Sequence, residues 1–202
     1  MNTRRNLLAG MGAAALGWIA WRTATLEPDH ARRDAAHTSR FPNPTLYTHE
    51  GKAVKFYDDL IRGKVVAVNM MYAECAGICP SMTSNLVRVQ KLLGERMGRD
   101  IFMYSITLQP ELDTPRRLKE YAEMHHVKPG WLFLTGAPAD IQSLRYRLGF
   151  FDPDPVIDRD NSTHIGMVRI GNDVYDRWTM SPALAEPEQI VAAIDHVDKS
   201  IV

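Results

Sequence analysis

Residues Lys64 to Tyr72 form an unbroken β-rich apolar run, Lys64-Val65-Val66-Ala67-Val68-Asn69-Met70-Met71-Tyr72. A run with no polar alternation predicts a central strand covered on both faces. Downstream, Met82, Leu86, Val89 and Leu93 recur every three or four residues, which predicts a helix from about Pro80 to Met97. Ile101–Thr107 reads as a second apolar strand and Gly130–Leu134 as a third. Asp113-Thr114-Pro115 is a helix start, with a capping side chain before a proline at the first helical position, and this helix runs to about His126. Pro138–Leu148 is a third helix stopped by Gly149, and Pro187–Ile201 a last one. Short hairpins are predicted at both ends of this core. One joins Leu46–Thr48 to Ala53–Phe56, and the other joins Gly166–Ile170 to Asp173–Trp178 across Gly171-Asn172. Between them, Phe150–Thr163 reads as a solvated loop, whose aspartates 152, 154, 158 and 160 lack the glycine of a calcium-binding hand.

Alternating strands and helices imply parallel pairing with right-handed crossovers. The element order resembles the thioredoxin-like arrangement. The fold class is α/β, a central mixed sheet flanked by helices with an N-terminal β-hairpin extension. Residues 42–202 are long enough for one domain with its own core.

The first 22 residues differ in character from the rest. Arg4 and Arg5 precede an uncharged stretch from Leu7 to Trp21, followed by Arg22. As a helix those 15 residues would reach roughly 22 Å, short of a bilayer core of about 30 Å. The segment reads as a signal peptide or a membrane anchor, the arginine pair resembling a twin-arginine export signal. Residues 23–41 read as a tether. The domain is then exported, to the periplasm or the periplasmic face of the inner membrane, where thiols oxidise readily. The 24 basic and 24 acidic residues balance. With three arginines in the leader, the remainder carries 21 basic and 24 acidic groups, which excludes a nucleic-acid partner on charge.

Cys75 and Cys79 are the only cysteines and stand together in Glu74-Cys75-Ala76-Gly77-Ile78-Cys79-Pro80, between the central strand and its helix. A disulfide closing so small a loop would contribute roughly 2 kcal/mol, at the low end for a crosslink. The pair therefore reads as a working site, either a redox dithiol or a holder of a soft metal ion. A helix N-terminus favours thiolate through its free N–H groups and dipole, and Glu74 would oppose this if it pointed inward. His164, in Asn161-Ser162-Thr163-His164-Ile165-Gly166, is a candidate third ligand. A solvated loop histidine is the alternative, and spacing leaves both open. Met70, Met71, Met82 and Met167 are expected to pack the core, and His125-His126 to end a helix in solvent.

Taken together, Cys75-Ala76-Gly77-Ile78-Cys79-Pro80 after a strand, Asp113-Thr114-Pro115 after the next, and the single distal His164 resemble the Sco/SenC family. Members are thioredoxin-like, membrane-anchored copper chaperones for the CuA site of cytochrome c oxidase. The resemblance implies copper, as Cu(I) or Cu(II), on Cys75, Cys79 and His164. It implies an apo-cuproprotein partner such as a cytochrome c oxidase subunit, a possible thioredoxin-like reductant, and membrane attachment if the leader is retained. The family's Ser-Ile-Asp-Pro segment stands here as Ser105-Ile106-Thr107-Leu108-Gln109-Pro110, without the acid. Ser81 and Thr163 also replace acids common in the family, so negative charge is removed around the site. A thiol–disulfide oxidoreductase acting on the cysteines of an apo-cuproprotein is the alternative; it needs Cys75 and Cys79 but not His164. A copper-responsive sensor ranks third. A thiol peroxidase ranks lower, because no positioned arginine is evident beside the cysteines.

Overall fold

The computed structural model describes residues 41–158 and 166–199. Seven strands form one sheet: β1 (Thr45–Thr48), β2 (Ala53–Lys55), β3 (Val65–Met71), β4 (Ile101–Thr107), β5 (Trp131–Gly136), β6 (Met167–Asn172) and β7 (Arg177–Pro182). Their spatial order is β2-β1-β5-β4-β3-β6-β7. β3, β4 and β5 run parallel, and the hairpins at either edge are antiparallel to them. The helices are α1 (Cys79–Leu93), α2 (Pro115–Met124), α3 (Pro138–Arg147), a single turn α4 (Pro155–Asp158) and α5 (Pro187–Asp198). The mixed sheet between helices is the expected fold class.

Strand β3 is buried at all seven positions, and its pleat divides the core. Val65, Ala67 and Met71 face a cluster with Leu86 and Val89 of α1, Leu118 of α2 and Ile190 of α5. Val66, Val68 and Met70 face the other layer, with Ile141 and Leu144 of α3 and the helical turn Phe56–Ile61. Both cysteines belong to the first cluster. The same face carries buried polar groups that satisfy one another across three strands. The Trp131 indole N–H donates to the Ser105 hydroxyl (2.9 Å), which donates to the Asn69 amide oxygen (2.7 Å). Pairing these groups avoids the cost of leaving each one buried alone.

Element ends shift from the sequence reading for local reasons. α1 starts one residue early, on Cys79, and gives way after Leu93 to a tighter turn, Gly94–Arg96, with Gly94 at φ 53°. Thr114 caps α2 by accepting from the Arg117 N–H at 3.3 Å, as its sequence predicts. The C-terminal hairpin corrects the Gly171-Asn172 turn. Both residues lie inside β6, and the chain reverses at Asp173–Asp176. The Asn172 side chain accepts from the N–H groups of Val174 (3.0 Å) and Tyr175 (3.3 Å), so it templates the turn that follows it. Gly171 is required for packing: a Cβ there would fall inside the ring of Trp178, its partner on β7. The loop after α3 is also corrected. Asp158 is buried in an ion pair with Arg145, whose Nη1 donates to it at 3.0 Å, and it accepts from Tyr146 and the Asp152 N–H as well. Asp152 and Asp154 cap local turns.

Gly171→Ala is expected to force Trp178 off the sheet and destabilise the fold by about 3 kcal/mol, the upper range for overpacking. Urea denaturation checks this, and a loss under about 0.5 kcal/mol, the surface-substitution range, would contradict it.

Candidate metal centre

β3 ends at Met71 under a hydrogen bond from the Leu108 N–H (2.7 Å), and the chain turns through Tyr72–Ile78 into α1. The Cys75 N–H donates to the Tyr72 carbonyl (3.2 Å), which tightens that turn. Pro80 occupies the first turn of α1, where its missing N–H costs nothing. Cys75 is 7% exposed, Cys79 is fully buried, and the two are not joined in a disulfide. The turn brings both into one apolar cluster, Cys79 beside Cys75.

That contact makes the sulfurs unequal. Burial raises the Cys75 thiol, but hydrogen bonds from the Cys79 thiol, the Cys79 and Gly77 backbone N–H groups and the Tyr72 side chain outweigh it, and Cys75 sits below its ordinary value. Cys79 is pushed up to about 12, by burial first and then by its hydrogen bond and proximity to Cys75. The helix N-terminus therefore favours thiolate as expected, yet it serves Cys75, which precedes the helix, while the cysteine that opens the helix stays protonated. In the reduced pair Cys75 is the more acidic thiol and Cys79 the less acidic one.

The approach to Cys75 is fastened to the start of α2. The Asp113 Oδ2 accepts from the Ala73 N–H (3.0 Å) and the Thr107 hydroxyl (2.6 Å). Arg117, one turn into α2, pairs with Glu74. Glu74 thus points outward, away from the thiols. An arginine does stand beside the cysteine segment, against the sequence reading, but it is engaged with Glu74. The start of α2 could be read from Asp113-Thr114-Pro115; the burial of Asp113 beneath the cysteine turn could not.

His164 lies outside the described residues. The nearest described position after it is Gly166. A Cβ on Gly166 would stand 2.8 Å from Cδ1 of Ile78 and 3.6 Å from Sδ of Met82. The start of β6 therefore packs against the turn between the two cysteines. Met71 and Met82 share the cysteines' cluster, whereas Met70 and Met167 belong to the opposite layer. Tyr121 bridges this face to α2. Its hydroxyl lies 2.9 Å from that of Thr83, and burial first, then the nearby thiols, push it up to about 12. His125 is not a free helix end: its ring lies 4.4 Å from that of Tyr121, and burial, then the His126 charge, lower its pKa. Among the described residues no three His, Cys, Asp or Glu side chains form a metal cluster.

A mixed sheet with a dithiol between its central strand and first helix defines a thioredoxin-like protein. Residues 30–197 match the SCO1/SenC family, and the chain belongs to it. The SCO1 protein homolog of Bacillus subtilis is 31% identical over 93 residues, 46% of this chain and 47% of that protein. The chain spans about half the length of the curated relatives it matches. Two solved structures share the fold. ScoI of Bradyrhizobium japonicum, solved with copper bound, has a TM-score of 0.62 at 21% identity, covering 78% of this chain and 98% of its own. BsSco, described as carrying a disulfide switch and as a member of the Sco family of cytochrome c oxidase assembly proteins, has a TM-score of 0.64 at 21% identity, covering 79% and 93%.

In the reduced, metal-free protein, iodoacetamide is expected to modify Cys75 well before Cys79. The Cys75 rate should rise with pH as thiolate forms and reach half its maximum below the ~8.5 of an unperturbed thiol. Peptide mapping at successive pH values checks this; equal rates at the two cysteines would contradict it.

Proposed function

We propose that this protein is a copper metallochaperone that binds one copper ion through Cys75, Cys79 and His164 and passes it by ligand exchange to an apo-cuproprotein. The contact of Gly166 with Ile78 carries this reading. His164 stands two residues before Gly166 in the sequence, and Gly166 is itself packed on the cysteine turn. The donor chemistry agrees. Two sulfurs in an apolar layer suit Cu(I), and a neutral imidazole added to thiolate suits Cu(II) also. Copper bound to the Bradyrhizobium relative and the oxidase-assembly description of BsSco support the same assignment. The CuA-type site of cytochrome c oxidase is the recipient the family suggests. The absence of the family's acids at Thr107, Ser81 and Thr163 is consistent with a different cuproprotein partner. Residues 1–22 serve as the export signal or anchor and 23–41 as the tether of the 42–202 domain, which places the dithiol on the periplasmic side.

The inequality of the thiols supports a second reading, a thiol–disulfide oxidoreductase that reduces the cysteines of an apo-cuproprotein. In that reading Cys75 attacks the target disulfide and releases one target thiol, and Cys79 then attacks the Cys75 sulfur, forming the Cys75–Cys79 disulfide and releasing the second target thiol.

Copper titration of the reduced chain separates the two. Wild type should bind one equivalent, and either Cys→Ser change should abolish it. His164→Ala should weaken Cu(II) by at least about tenfold, or 1.4 kcal/mol. Unchanged binding in all three variants would dispose of the chaperone. Disulfide turnover retained in His164→Ala, with no copper bound by wild type, would favour the oxidoreductase.

Gly166→Ala is expected to push Ile78, and the turn it caps, away from β6 and to weaken copper binding about tenfold. Ile78→Ala in the same chain should restore it by removing the clashing Cδ1. Equal affinity in Gly166→Ala and wild type, by competition with a chromophoric chelator, would contradict the role given to this contact.

A further inference from the structure

Asp113 is 1% exposed, and neither copper binding nor thiol exchange as described above uses it. Its Oδ2 holds the Ala73 N–H and the Thr107 hydroxyl, and its Oδ1 finds no hydrogen-bond partner among the described residues. A buried carboxylate with one oxygen unsatisfied is costly to keep. The grip it makes is on backbone, two residues before Cys75. The Thr107 hydroxyl also accepts from the Gln109 N–H at 2.9 Å, which fixes the hydroxyl that orients the carboxylate. Asp113 itself is tied to the loop by its N–H, which donates to the Gln109 carbonyl at 2.9 Å. The carboxylate is thus set by β4 and its loop, and it sets the path of the chain into the cysteine turn.

We propose that Asp113 is a positioning residue for the dithiol: by holding the Ala73 N–H it keeps Cys75 against Cys79 and so fixes the effective concentration of one sulfur at the other. The outer Glu74–Arg117 pair adds little, because both side chains meet solvent. Asp113 is the buried tie. When it is released, the turn through Gly77 samples more conformations, the sulfurs spend less time in bonding geometry, and the disulfide becomes harder to form. The reaction that reads this is exchange with glutathione. The glutathione disulfide bond breaks, the Cys75–Cys79 bond forms, and the two thiol protons leave with two glutathione molecules. Two electrons pass from the protein to glutathione.

The inference rests on Cys75 and Cys79 as the working pair and not on copper. Failure of wild type to bind copper would remove the chaperone reading and leave this test intact. The metal-free full chain is equilibrated in glutathione buffers with a chelator, quenched in acid, alkylated and weighed. Asp113→Leu, which removes the acceptor, should lower the disulfide equilibrium constant about tenfold or more, 29.6 mV for a two-electron couple. Asp113→Asn keeps an acceptor oxygen for both donors and should stay within about threefold of wild type. Asp113→Leu within about twofold of wild type, or Asp113→Asn falling as far as the leucine variant, would overturn the proposal, since the acceptor is what it assigns. If Asp113→Leu fails to fold, Thr107→Val decides. It removes the hydroxyl that orients the carboxylate and should lower the constant about threefold, and an unchanged value would overturn the proposal.

Discussion

The burial of Cys75 and Cys79 together in one apolar layer, at the turn between β3 and α1, is the constraint on which the site depends. It leaves Cys79 fully buried, its pKa pushed up, and Cys75 at the edge of the same layer, where backbone N–H groups lower its pKa. From that asymmetry follow a more acidic, more accessible sulfur beside a less acidic, buried one, and two soft sulfurs in one short turn, a donor set suited to a soft ion or to reversible oxidation. A dithiol with both sulfurs in solvent would have none of these properties in the same degree.

The fold maintains this contact from three sides. β3 runs buried along its whole length and delivers the turn to the C-terminal edge of the sheet, where α1 begins on Cys79. β4 and its loop supply Thr107 and Asp113, which fix the backbone entering the turn. β6 arrives antiparallel to β3 and sets Gly166 against Ile78. The sheet order places β4 and β6 on opposite flanks of β3, so the cysteine turn is held between a carboxylate on one side and a close van der Waals approach on the other. In the proposed function copper enters this arrangement as cargo. A holder with two buried sulfurs and a third ligand from a distant part of the sequence could release the ion in steps, one ligand at a time.

Much of this was legible in the sequence. The all-apolar run at Val65–Met71 can be covered only on both faces, and thiols four apart after such a strand can hardly be structural staples. Asp113-Thr114-Pro115 revealed a helix start because capping is a local act. It did not reveal the Asp113 contact with Ala73, since the partners are 40 residues apart and meet only through the parallel pairing of β3 with β4. Arg117 was invisible for the same reason. Gly171-Asn172 looked like a turn because glycine beside asparagine usually is one; the competing demand, a glycine beneath the cross-strand Trp178 ring, belongs to tertiary packing. The aspartate-rich loop looked solvated because a burial partner such as Arg145, in a separate helix, leaves no trace in local composition.

X-ray absorption at the copper edge of the loaded protein tests the central claim most directly, because it reports the atoms bound to the ion. The account predicts two sulfur scatterers and one imidazole nitrogen in the Cu(II) form, the imidazole signal disappearing when His164 is replaced. A shell of oxygen and nitrogen alone, or a sulfur pair whose spectrum is the same with and without His164, would contradict it.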